Sequence, residues 1–429
     1  MHALGLRRLG LLLLLPALAL RCGGAAPEPS HRLSERTSTL LASAPVVYAP
    51  GAVGQSATRD SEAIRATFEA ALAPEARARL RHDPALDLVA AVAADSFTDQ
   101  GRPPSRPLLQ WMFWRAGSLA LYHDWKGGFL RRAGPSRRSA PTMRADLDQL
   151  EIWARSAAQH INETPTSTLE YGLARFTEGR VTSEAIVFGW SVFEVPSFSK
   201  TYAPGAPLTL ALRPRRPLAE IRFLLDRGDA IEEQNLAPQP DGSFFVSQAV
   251  PTRPGRYFLE IQGPGPSRAT LLTVPIYVGV PEPTAPDDFI QKPPAGPPDL
   301  AGWPAWLAAT YDAERARLGR SPVVVDARLS AIAADQAALL AVEQQPFAVR
   351  GPARAASLAM AGFRPPEVAE TVLTAQATDS VLLHLLRPSV RQRMVLSERL
   401  ELGAGAALRS PRENQPASYT LVQETMSPR

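Results

Sequence analysis

Residues 325–340 read Val325-Asp326-Ala-Arg-Leu329-Ser-Ala-Ile332-Ala333-Ala334-Asp-Gln336-Ala-Ala-Leu-Leu340. Leu329, Ile332, Ala333, Gln336 and Leu340 recur at helical spacing, which predicts a helix with one apolar face. An earlier stretch, Asp83-Pro-Ala-Leu86-Asp-Leu-Val-Ala-Ala91, parallels Asp326-Ala-Arg-Leu329-Ser-Ala-Ile-Ala-Ala334. Arg115-Ala116-Gly117 parallels Met360-Ala361-Gly362, and Glu170-Tyr-Gly172-Leu-Ala174 parallels Glu401-Leu-Gly403-Ala-Gly405. Asp83 and Gly172 are 89 positions apart, Asp326 and Gly403 are 77 apart. Shared order and similar separation point to an internal duplication, with coincidence as the alternative for matches this short and Ala-rich.

Outward from the first stretch, Trp306, Ala309, Tyr311 and Ala313 open a helix and Val381, Leu382, Leu385 and Leu386 mark a later one. Leu402 to Leu408 and Tyr419 to Glu424 read as two closing strands. Before it, Ile64, Phe68, Ala71 and Leu72, then Leu86, Val89, Ala90 and Ala93, then Leu108, Leu109, Met112 and Phe113 give helical faces. A further helix is expected from Met143 to Ile161, then strands over Tyr171–Phe176 and Ala185–Val195. The middle changes period. Leu208 to Leu212 alternates, and Asp241-Gly242 and Pro254-Gly255 are turn signals before Ser243–Val250 and Arg256–Gln262. Short strands at this spacing predict a β-sandwich. It is immunoglobulin-like in architecture only, because the usual cysteine pair is absent. The expected class is therefore α+β. Residues 1–22 read as a signal peptide, 23–58 as a flexible tether and 59–197 as a mostly helical N-terminal α+β domain. Residues 198–280 read as the sandwich, 281–302 as a Pro-rich linker and 303–429 as the C-terminal domain.

Composition excludes several classes. At 429 residues the chain suits two or three domains. Its 42 prolines are about twice the usual share of roughly 5%. One cysteine permits no intramolecular disulfide and no cysteine-based zinc site, and none of the six histidines sits in an HExxH pattern. No GxSxG elbow, Walker loop or dinucleotide fingerprint is present. No cofactor and no metal are expected. Arg7 and Arg8 precede a short apolar run, Leu9 to Leu20, too short to span a bilayer and flanked like a secretory signal. Cys22 follows directly, as in a bacterial lipoprotein signal, where the cysteine becomes the acylated first residue; Arg21 stands where that pattern wants a small residue. The alternative is plain cleavage near Ala25-Ala26-Pro27. Export is thus expected, to the periplasm or outer membrane as a lipoprotein, or to the exterior. Without Arg7, Arg8 and Arg21, 43 basic residues face 42 acidic ones, so the formal charge of +4 is no argument for a nucleic-acid partner.

The C-terminal region resembles the CAP superfamily (the SCP domain of cysteine-rich secretory, antigen-five and pathogenesis-related proteins). Tyr311-Asp-Ala-Glu-Arg-Ala-Arg-Leu-Gly319 is similar to its opening helix, and Asp326-Ala-Arg-Leu329 to its Asp-x-x-Leu helix start. Ala361-Gly362-Phe363, Ala369-Glu370-Thr371, Leu386-Arg-Pro-Ser-Val390-Arg391 and Leu402-Gly-Ala-Gly-Ala406 match later elements in order. The resemblance covers about residues 303–426 and implies an αβα sandwich there; the internal parallels extend it to the N-terminal domain as a divergent CAP-like copy, with coincidence as the alternative. Many members carry two histidines and two glutamates around a cleft, sometimes with a divalent metal. Here the first histidine should fall near Phe347–Gly351 and the second at Val390, and neither exists; Glu370 alone matches a glutamate, and His384 matches nothing. One carboxylate without imidazoles is a poor transition-metal site and no acid/base pair. Glu370 and Arg391 remain binding candidates, with a solvated carboxylate or a Glu370–Arg391 ion pair as the bland alternative.

Lys126, Arg131, Arg132, Arg137, Arg138 and Arg144 form a basic stretch that Gly127-Gly128, Gly134-Pro135 and Pro141 make a loop. It could hold an anionic membrane surface or cell-wall glycan, or be merely solvated. Trp111, Trp114, Trp125 and Trp153 suggest core packing before an aromatic groove. The expected function is an exported envelope binding or scaffold protein that takes glycan, lipid or a protein partner. The alternative is an envelope hydrolase of peptide or peptidoglycan with its site in the N-terminal domain, at Glu151, His160 or His123.

Overall fold

The computed structural model describes residues 41, 44–49, 59–100, 104–131, 152, 155, 168–178, 181–264, 269–286, 299–343, 347–375, 378–409 and 418–426. The architecture is mixed α+β with several sheets.

In the N-terminal module, strand β1 (Val47–Tyr48) is followed by helices α1 (Arg59–Ala70) and α2 (Pro74–Arg77), strand β2 (Leu80–His82), and helices α3 (Pro84–Gln100) and α4 (Arg106–Arg115). Strands β3 (Leu121–Arg131), β4 (Thr168–Glu178) and β5 (Val181–Ser191) complete a sheet of order β2-β4-β5-β3. Helix α3 lies on β4 and β5. Leu86, Val89, Ala90 and Ala93 are buried, and their small average size brings helix and sheet backbones close. Gly172 makes this possible: a Cβ there would sit 2.0 Å from the carbonyl carbon of Leu86.

The sandwich follows, with β6 (Phe193–Glu194), β7 (Phe198–Ser199), β8 (Thr201–Tyr202), β9 (Pro207–Pro214), β10 (Ile221–Asp226), β11 (Ile231–Leu236), β12 (Phe244–Ala249), β13 (Gly255–Gln262) and β14 (Thr270–Val278). One sheet runs β11-β10-β13-β14-β8 and the other β12-β9-β6. Strict alternation along β9 buries Leu208, Leu210 and Leu212 against Phe244, Val246, Phe223, Leu259 and Ile276. Gly242, at φ 79°, closes the turn that Asp241-Gly242 announces.

The C-terminal module contains α5 (Trp303–Arg317), β15 (Val324–Val325), α6 (Ala327–Glu343), α7 (Phe347–Met360), β16 (Val368–Ala375), α8 (Thr378–Leu385), α9 (Pro388–Met394), β17 (Glu401–Arg409) and β18 (Ser418–Met426). Its sheet order, β15-β17-β18-β16, repeats that of the first module: a short parallel edge strand, then an antiparallel hairpin, then a third antiparallel strand. The residues superpose in role as well. Asp83 N–H donates to Tyr171 O and Asp326 N–H to Leu402 O, both at 3.0 Å. A Cβ on Gly403 would lie 2.2 Å from the carbonyl carbon of Leu329, as Gly172 does against Leu86. The parallel read between the two sequence stretches is thus a parallel of backbone contacts.

Two sequence expectations are corrected. Lys126 to Arg131 is not loop but the second half of β3, paired in register with β5 down to Arg131↔Val181. Eleven-residue β4 and β5 supply the complete neighbouring ladder, and this outweighs the weak strand preference of Gly127 and Gly128. Within the expected tether, Val47–Tyr48 is a strand paired with β7. Tyr48 is fully buried, and its hydroxyl donates to Pro275 O at 2.9 Å. Met143 to Ile161 falls mostly outside the described residues.

The modules share packed seams. Trp114 Nε1 donates to Thr273 O at 2.8 Å and its ring meets Phe258 edge-on, so N-terminal module and sandwich share one apolar cluster. Lys200, with no exposed surface, donates to Arg115 O and pairs with Glu282 at 3.1 Å; Arg115 holds the other Glu282 oxygen at 2.5 Å. Burial outweighs the Glu282 charge and lowers the Lys200 ammonium to about 8.

Candidate functional site

Glu370 lies on β16 directly across from Glu424 on β18. Both side chains are buried, at 7% and 0% exposure. Such a pair needs a cation, and Arg354 of α7 supplies it. Its guanidinium grips both Glu424 oxygens, with Nε 2.7 Å from one of them, and lies 3.6 Å from Glu370. Nη2 also donates to Val368 O at 3.1 Å. Glu370 is thus neither solvated nor paired with Arg391, the two bland alternatives raised for it. Glu370 belongs to a sealed network inside its own module, and the sequence reading missed Arg354 and Glu424. The signal was faint: one of two arginines in Ala-rich α7, and one Glu in a closing strand that mixes polar and apolar residues.

Arg391 does different work. Nη1 holds Glu314 at 2.5 Å, Nη2 donates to Gly228 O at 2.6 Å and Nε lies 3.4 Å from Asp226. It ties α9 to the β10–β11 turn of the sandwich. Burial raises Asp226 while Arg391 pulls it back. Ser389 N–H adds a bond of 2.8 Å to Glu260 of β13. Beside this clamp a small apolar cavity of ≈ 90 Å³ is lined by Leu382, Leu385, Leu386, Tyr311 and Val395, with Pro107 reaching in from the N-terminal module.

The shared topology locates the N-terminal counterparts of Glu370 and Glu424. Gly403 faces Glu424, which faces Glu370; Gly172 faces Val187, which faces Trp125. Val187 and Trp125 thus stand where the other module has its carboxylates. Of the hydrolase candidates, Glu151 and His160 lie outside the described residues, and His123 is the bulge residue of β3. Cys22, Arg132, Arg137 and Arg138 also lie outside them, and Arg131 ends β3. Trp111 and Trp114 are core residues. Among the described residues no group of three His, Cys, Asp or Glu is placed to hold a metal.

A different acid cluster is present in the N-terminal module. Burial, then the neighbouring Asp83, raise Glu170 to about 7 against the pull of Arg215 and Arg81. Arg215 holds Glu170 at 3.0 Å and Glu194 at 2.8 Å. Asp83 caps α3 through the Ala85 N–H at 3.0 Å, and burial raises it too. Glu170, through Arg215, ties the module to the sandwich, while Asp83 bonds within its own module to Ala85 and Ser118.

A second open space carries charged groups on its walls. A cleft of ≈ 470 Å³ lies where β2 meets the β12-β9-β6 sheet, lined by Arg81, Glu194, Pro196, Ala211, Arg213, Asp241 and Ser243. Its charges are balanced, two arginines against two carboxylates.

No family model matches the chain, and no curated protein matches it. A solved structure of a cysteine-rich secretory protein from Staphylococcus aureus subsp. aureus Mu50 is 11% identical, with 59% of this chain and 83% of that chain covered and a TM-score of 0.23. A likeness of that size carries neither ligand nor activity.

Proposed function

We propose that the chain is a non-catalytic binding protein of the cell envelope, exported and carried there by the signal that Arg7, Arg8 and Leu9–Leu20 resemble. Its C-terminal module reads as a CAP-like domain that has given up the family's His/Glu tetrad. The observation that supports this is Arg354. The one glutamate matching the tetrad faces a second buried carboxylate, and a guanidinium lies between them. A carboxylate buried at 7% exposure beside this guanidinium is shut off from solvent and from any substrate, which argues against a general base or a metal ligand there. In the N-terminal module Val187 and Trp125 take the corresponding register positions, so no carboxylate stands at either of them.

The test uses the mature chain with Cys22→Ser, sedimented with purified sacculi and separately with anionic vesicles across a salt series. Retention on either surface without release of soluble peptide or sugar is the expected result. Release of product from sacculi at a rate proportional to protein would overturn the reading and favour the hydrolase alternative. Retention on vesicles alone that collapses with salt would assign the binding to the basic residues from Lys126 to Arg144.

A further inference from the structure

We infer that the polar cleft between β2 and the β12-β9-β6 sheet is a binding site for a neutral polysaccharide chain. The inference deepens the envelope-binding reading by giving it a site and a ligand class. The register builds the site in rows. Glu194 and Arg213 are direct cross-strand partners on β6 and β9. Ser243 stands one residue beyond the Phe244↔Leu212 pair, opposite Arg213, so Ser243, Arg213 and Glu194 form one row on the outer face. Arg81 extends that row from the other module, 3.8 Å from Glu194. In the next row Ala211 and Pro196 line the cleft, and Phe245, the direct partner of Ala211, flanks it on the same outer face.

Phe245, beside the cleft, is unusual. Phe244 and Val246 on either side are fully buried, whereas Phe245 is 50% exposed on the outer face. An aromatic ring there gains nothing from the core. It offers a flat apolar surface beside a row of hydrogen-bonding groups, the combination that a sugar ring needs. Its two faces carry C–H groups and its rim carries hydroxyls.

The charge pattern selects among ligands. Arg81 with Glu194 and Arg213 with Asp241 are exposed pairs at 3.8 and 4.0 Å. Contacts this long and this solvated contribute little, so the Arg81 and Arg213 donors are available to a ligand, while Glu194 and Asp241, each held through one oxygen by Arg215 and Ser243, can offer the other. Donor and acceptor alternate across the cleft, as vicinal hydroxyls require, since each hydroxyl both gives and takes a hydrogen bond. The sum of charges is zero, which favours neither an anionic headgroup nor a polyanion. Asp241 is held in position by its own turn: it accepts from Ser243 N at 3.0 Å and Ser243 Oγ at 2.6 Å, and the Ser243 hydroxyl lowers its carboxyl. A space of ≈ 470 Å³ is within the usual range for ligand clefts, roughly 300–1,000 Å³, and accommodates about two sugar rings.

The experiment is calorimetric titration and saturation-transfer NMR on the mature chain with chitotetraose, cellotetraose and maltotetraose, and with tri-alanine as a zwitterionic peptide of similar size. At least one oligosaccharide should bind, with saturation transfer strongest on ring C–H protons. Phe245→Ala and Arg213→Ala should each weaken it at least tenfold, while Met360→Ala, on the exposed surface of the other module, should leave it unchanged. Circular dichroism confirms that each variant is folded; both cleft residues are exposed and unfolding is not expected. No binding of any oligosaccharide at millimolar concentration would overturn the inference, as would binding that survives Phe245→Ala, or binding of tri-alanine alone. Sedimentation with sacculi separates the two readings. If Phe245→Ala abolishes oligosaccharide binding but not retention, the cleft is a sugar site and another surface holds the sacculus. If wild type is retained yet binds no oligosaccharide, the cleft assignment fails and the envelope-binding reading stands.

Discussion

Arg354→Met is the substitution that tests the sealed network most directly. Met keeps the unbranched stem and removes the guanidinium. Two carboxylates at 7% and 0% exposure then lose the cation they share, and Val368 O loses a donor. Removing one partner of a buried ion pair costs about 3–5 kcal/mol, because the remaining charge stays desolvated. The loss should therefore lie in that range, a large fraction of the ~5–15 kcal/mol that holds a typical domain. Urea denaturation at neutral pH, followed by circular dichroism, measures it; in a chain of several modules the affected transition should move while others stay. Glu424→Gln in the Arg354→Met background removes one of the two charges and should recover at least half of the loss. A single-variant loss below about 1 kcal/mol would refute the reasoning. It would mean that Glu370 and Glu424 see solvent, that the cleft is open, and that Glu370 is again available for chemistry.

Three further outcomes follow from the same contacts. Gly172→Ala and Gly403→Ala each place a Cβ about 2 Å from helix backbone, so each should destabilise its own module by ~1–3 kcal/mol or more, read as a shift in one unfolding transition; a neutral result at either would break the helix-on-sheet equivalence. Glu170, raised to about 7, holds a proton in the folded state that the unfolded chain releases near 4.5. Its contribution is present below pH 4.5 and lost as pH rises through 7, on the order of 3 kcal/mol, and the difference in stability between wild type and Glu170→Gln across pH 4–8 should show that slope. His384 behaves oppositely. Burial, then Arg387 and Arg393, push it well below 6.5, and neither ring nitrogen has a hydrogen-bond partner. Its folded form resists protonation, so stability is kept above pH 6.5 and lost as pH falls; His384→Leu should flatten that acid limb and raise stability by about 1 kcal/mol, as thermal melts at pH 5 and 8 would report.

The elements legible in the sequence were those whose period is enforced by a packed face. Asp326 to Leu340 and Asp83 to Ala91 announced α6 and α3 because each helix must bury one stripe on a sheet. The glycines that parallel each other, Gly172 and Gly403, are those that let the helix approach. β3 was illegible because its second half is held by a partner far along the chain. Nothing local distinguishes Lys126-Gly-Gly from a loop, and only β5, reached across about fifty residues, makes it a strand. Glu370 was found by resemblance, but its partners were not, since Arg354 and Glu424 converge on it from elements 16 and 54 residues away. The cleft was half visible: Asp241-Gly242 marked the turn, and alternation would have put Phe245 outside once Leu208–Leu212 fixed the inner face. That Arg81 completes it from another module is a fact of docking that no local pattern carries.

That docking is itself ionic, and this bears on where function can reside. Arg391 reaches Asp226 and Gly228 from α9, Lys200 and Arg115 enclose Glu282, and Arg215 joins Glu170 to Glu194. Each cation is largely buried and each bridges two segments distant in sequence. A charge committed in this way is costly to move, because separating the modules would leave it desolvated or force it into water with its partner. The arginines so committed are unavailable to a ligand. Those of the cleft, Arg81 and Arg213, differ in that they are exposed and only loosely paired. The distinction explains why the most buried arginines in this chain are poor candidates for recognition and the most solvated seam arginines are good ones. It also gives the cleft its rigidity: Glu194 takes one bond from Arg215, which is anchored to Glu170, so the acceptor that faces Arg81 is fixed before any ligand arrives. Arg215→Ala should therefore weaken oligosaccharide binding by several-fold although Arg215 does not line the cleft. Restoration of affinity by Arg215→Lys, which can still reach Glu194, would separate this positioning role from simple loss of fold; equal loss in both variants with unchanged melting temperature would refute it.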